Sequence, residues 1–320
     1  MPSTTMLLPT EILRRCRPGF ETLVEITVTG SSRDTLASAL TDAFRRIQHV
    51  YRSVNFFDPQ SELSLLHRTA WHKPVPVSRL CYAIIGRALQ LARTFPGSFD
   101  PTVATKVTPR SRLLALGLER PPDPAASWKD ILLLPRRRIV FLRPLLLDLG
   151  GIAKGYAVDA AIRCLRLRVS GALVNAGGDL RCFGSCCWPV LVRDPRRPIR
   201  LGLVLQVSNT ALATSAYPAR CRYPDHHLSR GLWHPETEKA YRGNESVTVL
   251  APRCWIADGL TKVFLLGNAQ ARALACQWQA KALWIQSGSF GQLHWRWETA
   301  PPPSPRQKEH AAPLWRRFFH

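Results

Sequence analysis

The segment Asp148-Leu149-Gly150-Gly151-Ile152-Ala153-Lys154-Gly155-Tyr156 brings a carboxylate, two glycines and a lysine together within seven residues. The carboxylate can accept from a ligand hydroxyl or amide, and the glycines let a ligand approach the backbone closely. A lysine beside a helix start can pair with phosphate. The spacing matches neither GxGxxG nor GxxxxGK[ST], which excludes the two common phosphate cradles. Four further runs place small, polar or acidic residues at breaks between regular elements: Gly97-Ser98-Phe99-Asp100-Pro101-Thr102-Val103, Val174-Asn175-Ala176-Gly177-Gly178-Asp179, Ala213-Thr214-Ser215 and Ala257-Asp258-Gly259-Leu260-Thr261. Asp100 on its own also suits a turn or helix N-cap.

The elements that must position these residues follow from periodicity. Val24–Thr29 is rich in β-branched residues and predicts a strand closed by Gly30-Ser31-Ser32. Leu36–Tyr51 and Arg79–Phe95 carry apolar residues at helical spacing, the second stopped by Pro96-Gly97. Ile139–Leu149 is an almost continuous apolar run, read as a buried strand that delivers Asp148 at its end. Ala153–Leu167, Ala257–Leu266 and Ala269–Trp278 read as helices, and Leu173–Asn175, Val190–Val192, Leu201–Val207 and Ser246–Leu250 as strands. The lack of a regular βαβ repeat favours α+β over a doubly wound fold.

With 320 residues, 46% hydrophobic and 21% charged, the chain is long enough for a sizeable core, which excludes a disordered or disulfide-stapled class. Its formal charge of +22 points to anionic partners, although 36 of its 44 cationic residues are Arg. No basic helix, RNA-binding aromatic signature or zinc-finger spacing accompanies that charge, so nucleic acid is not expected as a partner. Nine cysteines without a CxxC pair imply reduced thiols, and the close group Cys182, Cys186 and Cys187 reads as core or loop residues. Neither a signal-peptide pattern nor a run of about 20 apolar residues is visible, which predicts a cytoplasmic chain with no transmembrane segment. Residues 1–14 are expected to be a flexible N-terminus, 15–290 one domain, and the Pro-rich 296–320 a disordered tail.

Taken in order, these motifs resemble the ApbE family of FAD:protein FMN transferases. Phe57-Asp58-Pro59-Gln60-Ser61-Glu62-Leu63-Ser64 is similar to its YDPDSELS segment, and Ser246–Pro252 to its late strand, so the resemblance spans about Arg15 to Ala282. It implies an α+β, T-fold-like protein of mixed sheets with packed helices that binds FAD as substrate together with a divalent cation, usually Mg²⁺. The implied reaction moves FMN onto a Ser or Thr hydroxyl of an acceptor flavoprotein subunit and releases AMP. The relatives' FAD contacts fall on Phe57, Ser98, Phe99, Asp100, Asp148 and Lys154. The metal ligands fall on the Gly151 carbonyl, Asp258 and Thr261, with Asp258, Thr261 and Lys154 serving catalysis. Family members read D-A-L-A-T, whereas here Thr261 comes one residue early and Lys262 stands at the usual threonine position. One reading therefore has Lys262 meet the diphosphate and partly replace the metal. The family's SHIIDPRTG segment is altered as well: Gly231 stands for its His, His234 for its Asp and Glu238 for its Gly, and the N-terminal signature reads Phe20-Glu21-Thr22. FAD hydrolysis to FMN and AMP, and flavin binding without catalysis, are the alternatives these departures raise.

Overall fold

A computed structural model describes residues 11–109, 113–114, 116–118, 120–196, 201–216, 232–288 and 292–299. Strands β1 (Glu11–Gly19) and β2 (Thr22–Gly30) form an antiparallel hairpin. Its two-residue turn puts Phe20 and Glu21 at φ 51° and 56°, a left-handed conformation that costs non-glycine residues free energy. Helix α1 (Arg33–Val54) follows, capped by the Ser32 hydroxyl, which accepts from the Thr35 amide. Leu36, Leu40, Ala43, Ile47 and Val50 recur at three- and four-residue spacing, and all are buried. Helices α2 (Glu62–Thr69) and α3 (Arg79–Thr94) are likewise capped by Ser61 and Ser78. A short turn of helix, α4 (Ala104–Val107), follows the Gly97–Val103 run.

Strands β3 (Val75–Pro76), β4 (Ile131–Leu134) and β5 (Arg138–Phe141) make a small sheet in the order β3-β5-β4. The main sheet uses β6 (Gly171–Ala176), β7 (Asp179–Phe183), β10 (Ala211–Ala216), β11 (Glu245–Ala251), β12 (Lys281–Ser287) and β13 (Leu293–Glu298). Its order is β1-β2-β6-β7-β10-β11-β12-β13, and every pairing is antiparallel. The hairpin of β8 (Trp188–Arg193) and β9 (Leu201–Val207) packs Val190 and Val207 on Leu180 and Leu212, and Val192 on Leu283 and Ile285. Helices α1, α5 (Ala153–Leu165) and α6 (Cys254–Leu266) form the principal core with the inner faces of β2, β6 and β11. Helix α7 (Ala269–Cys276) joins α6 to β12. The architecture is thus α+β. No described helix is long and apolar enough to cross a membrane.

The packing of α5 on α6 decides where the chemistry sits. Neither helix has a capping side chain of its own at Ile152 or Arg253, so their first amides need acceptors from elsewhere. Each helix caps the other. The Gly155 amide donates to Asp258 Oδ2 at 3.0 Å, and the Trp255 amide donates to Asp159 Oδ2 at 3.0 Å. The crossing is close enough that a Cβ on Gly155 would lie 2.4 Å from the Cys254 carbonyl oxygen and 2.8 Å from Asp258 Cβ.

Two expected elements differ from those observed. The Ile139–Leu149 strand stops at Phe141, and residues 142–149 run on without a ladder partner. Their backbone is met by side chains and a turn. The Leu146 amide donates to Thr105 Oγ1, the Leu147 amide to His67 Nε2, and the Asp148 amide to the Pro101 carbonyl at 2.7 Å. Asp148 therefore sits at the end of an irregular strap, not of a strand. Ala213–Ser215, expected at a break, lies inside β10 with Thr214 and Thr248 hydroxyls hydrogen-bonded across to β11. The segments expected to be flexible overlap the sheet at both ends. Glu11–Arg14 belong to β1, whose alternating side chains pair on β2, and β13 continues to Glu298 past the expected domain end at 290. Residues 1–10 and 300–320 lie outside the described residues.

Two outcomes follow from this packing. Gly→Ala inside a helix ordinarily stabilises by about 0.5–1 kcal/mol. Gly155→Ala should instead destabilise by about 1–3 kcal/mol, because its methyl meets backbone that cannot yield. Urea titration reads the sign. Burial also lowers the His67 pKa to about 4, against an ordinary 6.5. Between those values the unfolded chain binds the extra proton, so stability falls as the pH is lowered through that window. The loss should be on the order of 3 kcal/mol between pH 6.5 and 4. In His67→Gln the difference between unfolding free energies at the two pH values should shrink by that amount, and an unchanged difference contradicts the assignment.

Candidate active site

A cavity of about 480 Å³ opens between the β1–β2 turn, the Phe56–Phe57 turn, the Ser98–Asp100 run, the Asp148–Lys154 strap and the edge of β10. Phe57, Ser98, Phe99, Asp100, Asp148 and Lys154, the expected flavin contacts, all border it, as does Gly151, whose carbonyl was expected to hold the metal. Phe57 is 39% exposed at the mouth and stacks edge-on with Phe56 at 5.3 Å, whereas Phe99 is buried. Gly151 permits the close approach of Phe99: a Cβ there would lie 3.3 Å from Phe99 Cε2. Asp100 Oδ1 accepts from the amide and hydroxyl of Thr102 at 2.7 and 2.6 Å, the turn role considered from its sequence position. Asp148 Oδ1 accepts from the Gly150 amide at 2.8 Å. Desolvation pushes the Asp148 carboxyl above its ordinary range despite that bond and the Lys262 charge.

Two lysines border the cavity, each paired with an aspartate buried behind its wall. The Lys154 ammonium lies 2.6 Å from Asp179 Oδ2, and the Lys262 ammonium 2.5 Å from Asp258 Oδ1. Lys154, at the start of α5, is unfavourably placed relative to the helix dipole, and the buried Asp179 offsets this. Its pKa is raised: burial favours the neutral amine, but Asp179 and Asp258 outweigh it. The two carboxylates diverge. Burial and the neighbouring Asp258 push Asp179 up, whereas Asp258 is held below the ordinary range because Lys154, Lys262 and the Gly155 amide outweigh its burial. Asp258 and Thr261 are themselves fully buried behind the cavity wall.

Two of the expected metal ligands, Asp258 and Thr261, are engaged with groups of the protein itself. Thr261 Oγ1 donates to the Asp258 carbonyl at 2.7 Å and pairs with Ser215 Oγ at 2.7 Å. At three residues after Asp258 it faces the helix backbone, and the side chain one full turn on is Lys262. Among the described residues no three His, Cys, Asp or Glu side chains converge to hold a metal ion. Oxygen-rich coordination suits Mg²⁺, but here Asp258 Oδ1, Oδ2 and the main-chain carbonyl each already receive a hydrogen.

Sequence reading assigned no role to Asp179, Ser215 or Trp233, the last two of which border the cavity. Asp179 had a legible signal. Gly177 and Gly178, at φ 66° and 102°, form the two-residue turn of the β6–β7 hairpin and leave the aspartate at the first position of β7. Gly231 lies outside the described residues, as do His226 and His227, the upstream histidines that could supply an imidazole in place of the family's His. His234 Nδ1 accepts from the Glu236 and Thr237 amides at 3.3 and 3.4 Å and so closes a turn next to the cavity residues Trp233 and Pro235.

Comparison with known proteins places these features. The solved ApbE protein of Thermotoga maritima shares the fold with a TM-score of 0.72, 24% identity and coverage of 89% of this chain and 96% of that one. The flavin transferase ApbE of Vibrio cholerae superposes with a TM-score of 0.71 at 21% identity, covering 91% and 98%. The FAD:protein FMN transferase of Treponema pallidum is 30% identical over 274 residues, 74% of each chain. The ApbE family model matches residues 20–284, a span that holds the cavity, both lysine–aspartate pairs and the reciprocal helix caps. On sequence and fold together, the chain belongs to the ApbE family.

Proposed function

We propose that the chain is an FAD:protein FMN transferase that attaches FMN to a Ser or Thr hydroxyl of an acceptor flavoprotein subunit and releases AMP. The observation that carries this reading is the cavity's polarity: its lining combines the aromatic rings of Phe57 and Phe99 with the ammonium groups of Lys154 and Lys262, each held by a buried aspartate. Phe57 and Phe99 suit a planar ring system, and the ammonium groups suit a diphosphate. The acceptor oxygen bonds to the phosphorus of the FMN half, the P–O bond to AMP breaks with its electron pair leaving on the AMP phosphate, and the hydroxyl proton passes to solvent. Phosphoryl transfer of this kind depends on positioning and charge neutralisation more than on covalent help from the protein. Lys154 is the group best placed to neutralise it. Its pairing with Asp179 keeps it protonated and fixed.

The family resemblance also implies Mg²⁺, which in such a reaction would neutralise the diphosphate. The groups of this chain do not fit that role. An ammonium already lies against Asp258 and the Thr261 hydroxyl is turned to the helix backbone, so the steps above rest on protein groups alone.

Incubation with FAD and a co-expressed acceptor subunit, in Mg²⁺-containing buffer, should add the mass of FMN to one acceptor Ser or Thr and release AMP in equal amount. An unmodified acceptor beside a folded enzyme rejects the proposal. Lys154→Ala should weaken FAD binding by about ten-fold or more, the worth of a charge-assisted hydrogen bond, as read by flavin fluorescence. A melting curve separates that loss from the instability of an unpaired Asp179.

A further inference from the structure

The geometry points to Lys262 as a built-in cation: we propose that its ammonium takes the place of a divalent metal at Asp258 and presents a hydrogen-bond donor to the diphosphate. Asp258 and Lys262 are one helical turn apart on α6 and share a face. Nζ lies 2.5 Å from Asp258 Oδ1 and 3.0 Å from the Asp258 carbonyl oxygen. An ammonium carries three N–H donors and no acceptor, so these two contacts leave one donor over. The side chain borders the cavity and runs beside Gly151, where a Cβ would lie 3.5 Å from Lys262 Cε. The lysine stem thus lies in ordinary contact range of position 151, while the tight neighbour there is Phe99.

Charge balance argues in the same direction. Lys154 pairs with Asp179 and Lys262 with Asp258, so neither of these two buried carboxylates lacks a cation, and the third carboxyl nearby, Asp148, also feels the Lys262 charge. A divalent ion at Asp258 would lie beside a like charge in a buried setting, which is strongly unfavourable unless Lys262 is expelled. The other Asp258 oxygen is committed to the Gly155 amide and cannot turn away without uncapping α5. Exclusion of the metal rests on this chain's own geometry. The contact to the diphosphate rests on the flavin reading above.

The test uses the full chain and two probes. Mn²⁺ binding, followed by the electron paramagnetic resonance signal of the free ion, should show no tight site in the native chain. Lys262→Met and Lys262→Ala, which free Asp258, should bind one Mn²⁺ at least about ten-fold more tightly, and Lys262→Arg should still exclude it. Native FAD affinity should be equal in EDTA and in Mg²⁺, whereas Lys262→Met should lose about ten-fold in EDTA and recover with Mg²⁺. Mn²⁺ affinity in the native chain as high as in the two neutral variants overturns the proposal, as does native FAD binding that EDTA weakens ten-fold. If FAD fails to bind the native chain in either buffer, the flavin reading falls, and the Mn²⁺ comparison still decides whether Lys262 excludes the metal.

Discussion

The close contact between the first turns of α5 and α6 is the constraint on which the rest of the structure depends. Two helices without caps of their own meet so closely that each supplies a buried carboxylate to the other's first turn. Burying two aspartates is costly unless every oxygen is satisfied. Asp159 meets that requirement with Arg181 at 2.5 Å and the Trp255 amide, which anchors the helix pair to β7. Asp258 meets it with Lys262 and the Gly155 amide, on the side that faces the cavity. One capping device thus has a structural half and a half that borders the site.

Much of this was legible where local pattern and tertiary demand agree. The β-branched run of β2 and the helical stripes of α1 and α3 are such places, because the buried face and the intrinsic preference coincide. That Phe57, Ser98, Phe99, Asp100, Asp148 and Lys154 should gather in one place came from the family resemblance of the short motifs, and all six border the one cavity. The strap after Phe141 was not legible. An apolar run looks the same in a ladder as in a segment whose amides are met by His67 and Thr105, residues 80 and 41 positions away. β10 was hidden for a different reason: its small residues carry little strand preference, and it is a strand because β7 and β11 flank it. The role of Lys262 was half legible. Its place in the motif could be read, but its contact with Asp258 needed the helix.

The formal charge of +22 has a different meaning in three dimensions. The cavity itself is not basic. Lys154 and Lys262 are its only bordering cations among the described residues, beside Glu21, Asp100 and Asp148. Local recognition of an anion there depends on a few placed donors, while the arginine excess elsewhere supplies a long-range field. Such a field acts on encounter rates and is screened by salt, whereas the buried pairs are not.

The imidazole of His67 joins two parts of the cavity wall that are far apart in sequence. Its ring packs edge-on against Phe56 at 5.4 Å, and its Nε2 takes the Leu147 amide, next to Asp148. The aromatic lip and the glycine strap are therefore held at a separation set by one rigid five-membered ring. A side chain there without a ring acceptor would leave the buried Leu147 amide unpaired and release that tie. The placement of the two parts relative to each other thus depends on a residue that does not border the cavity.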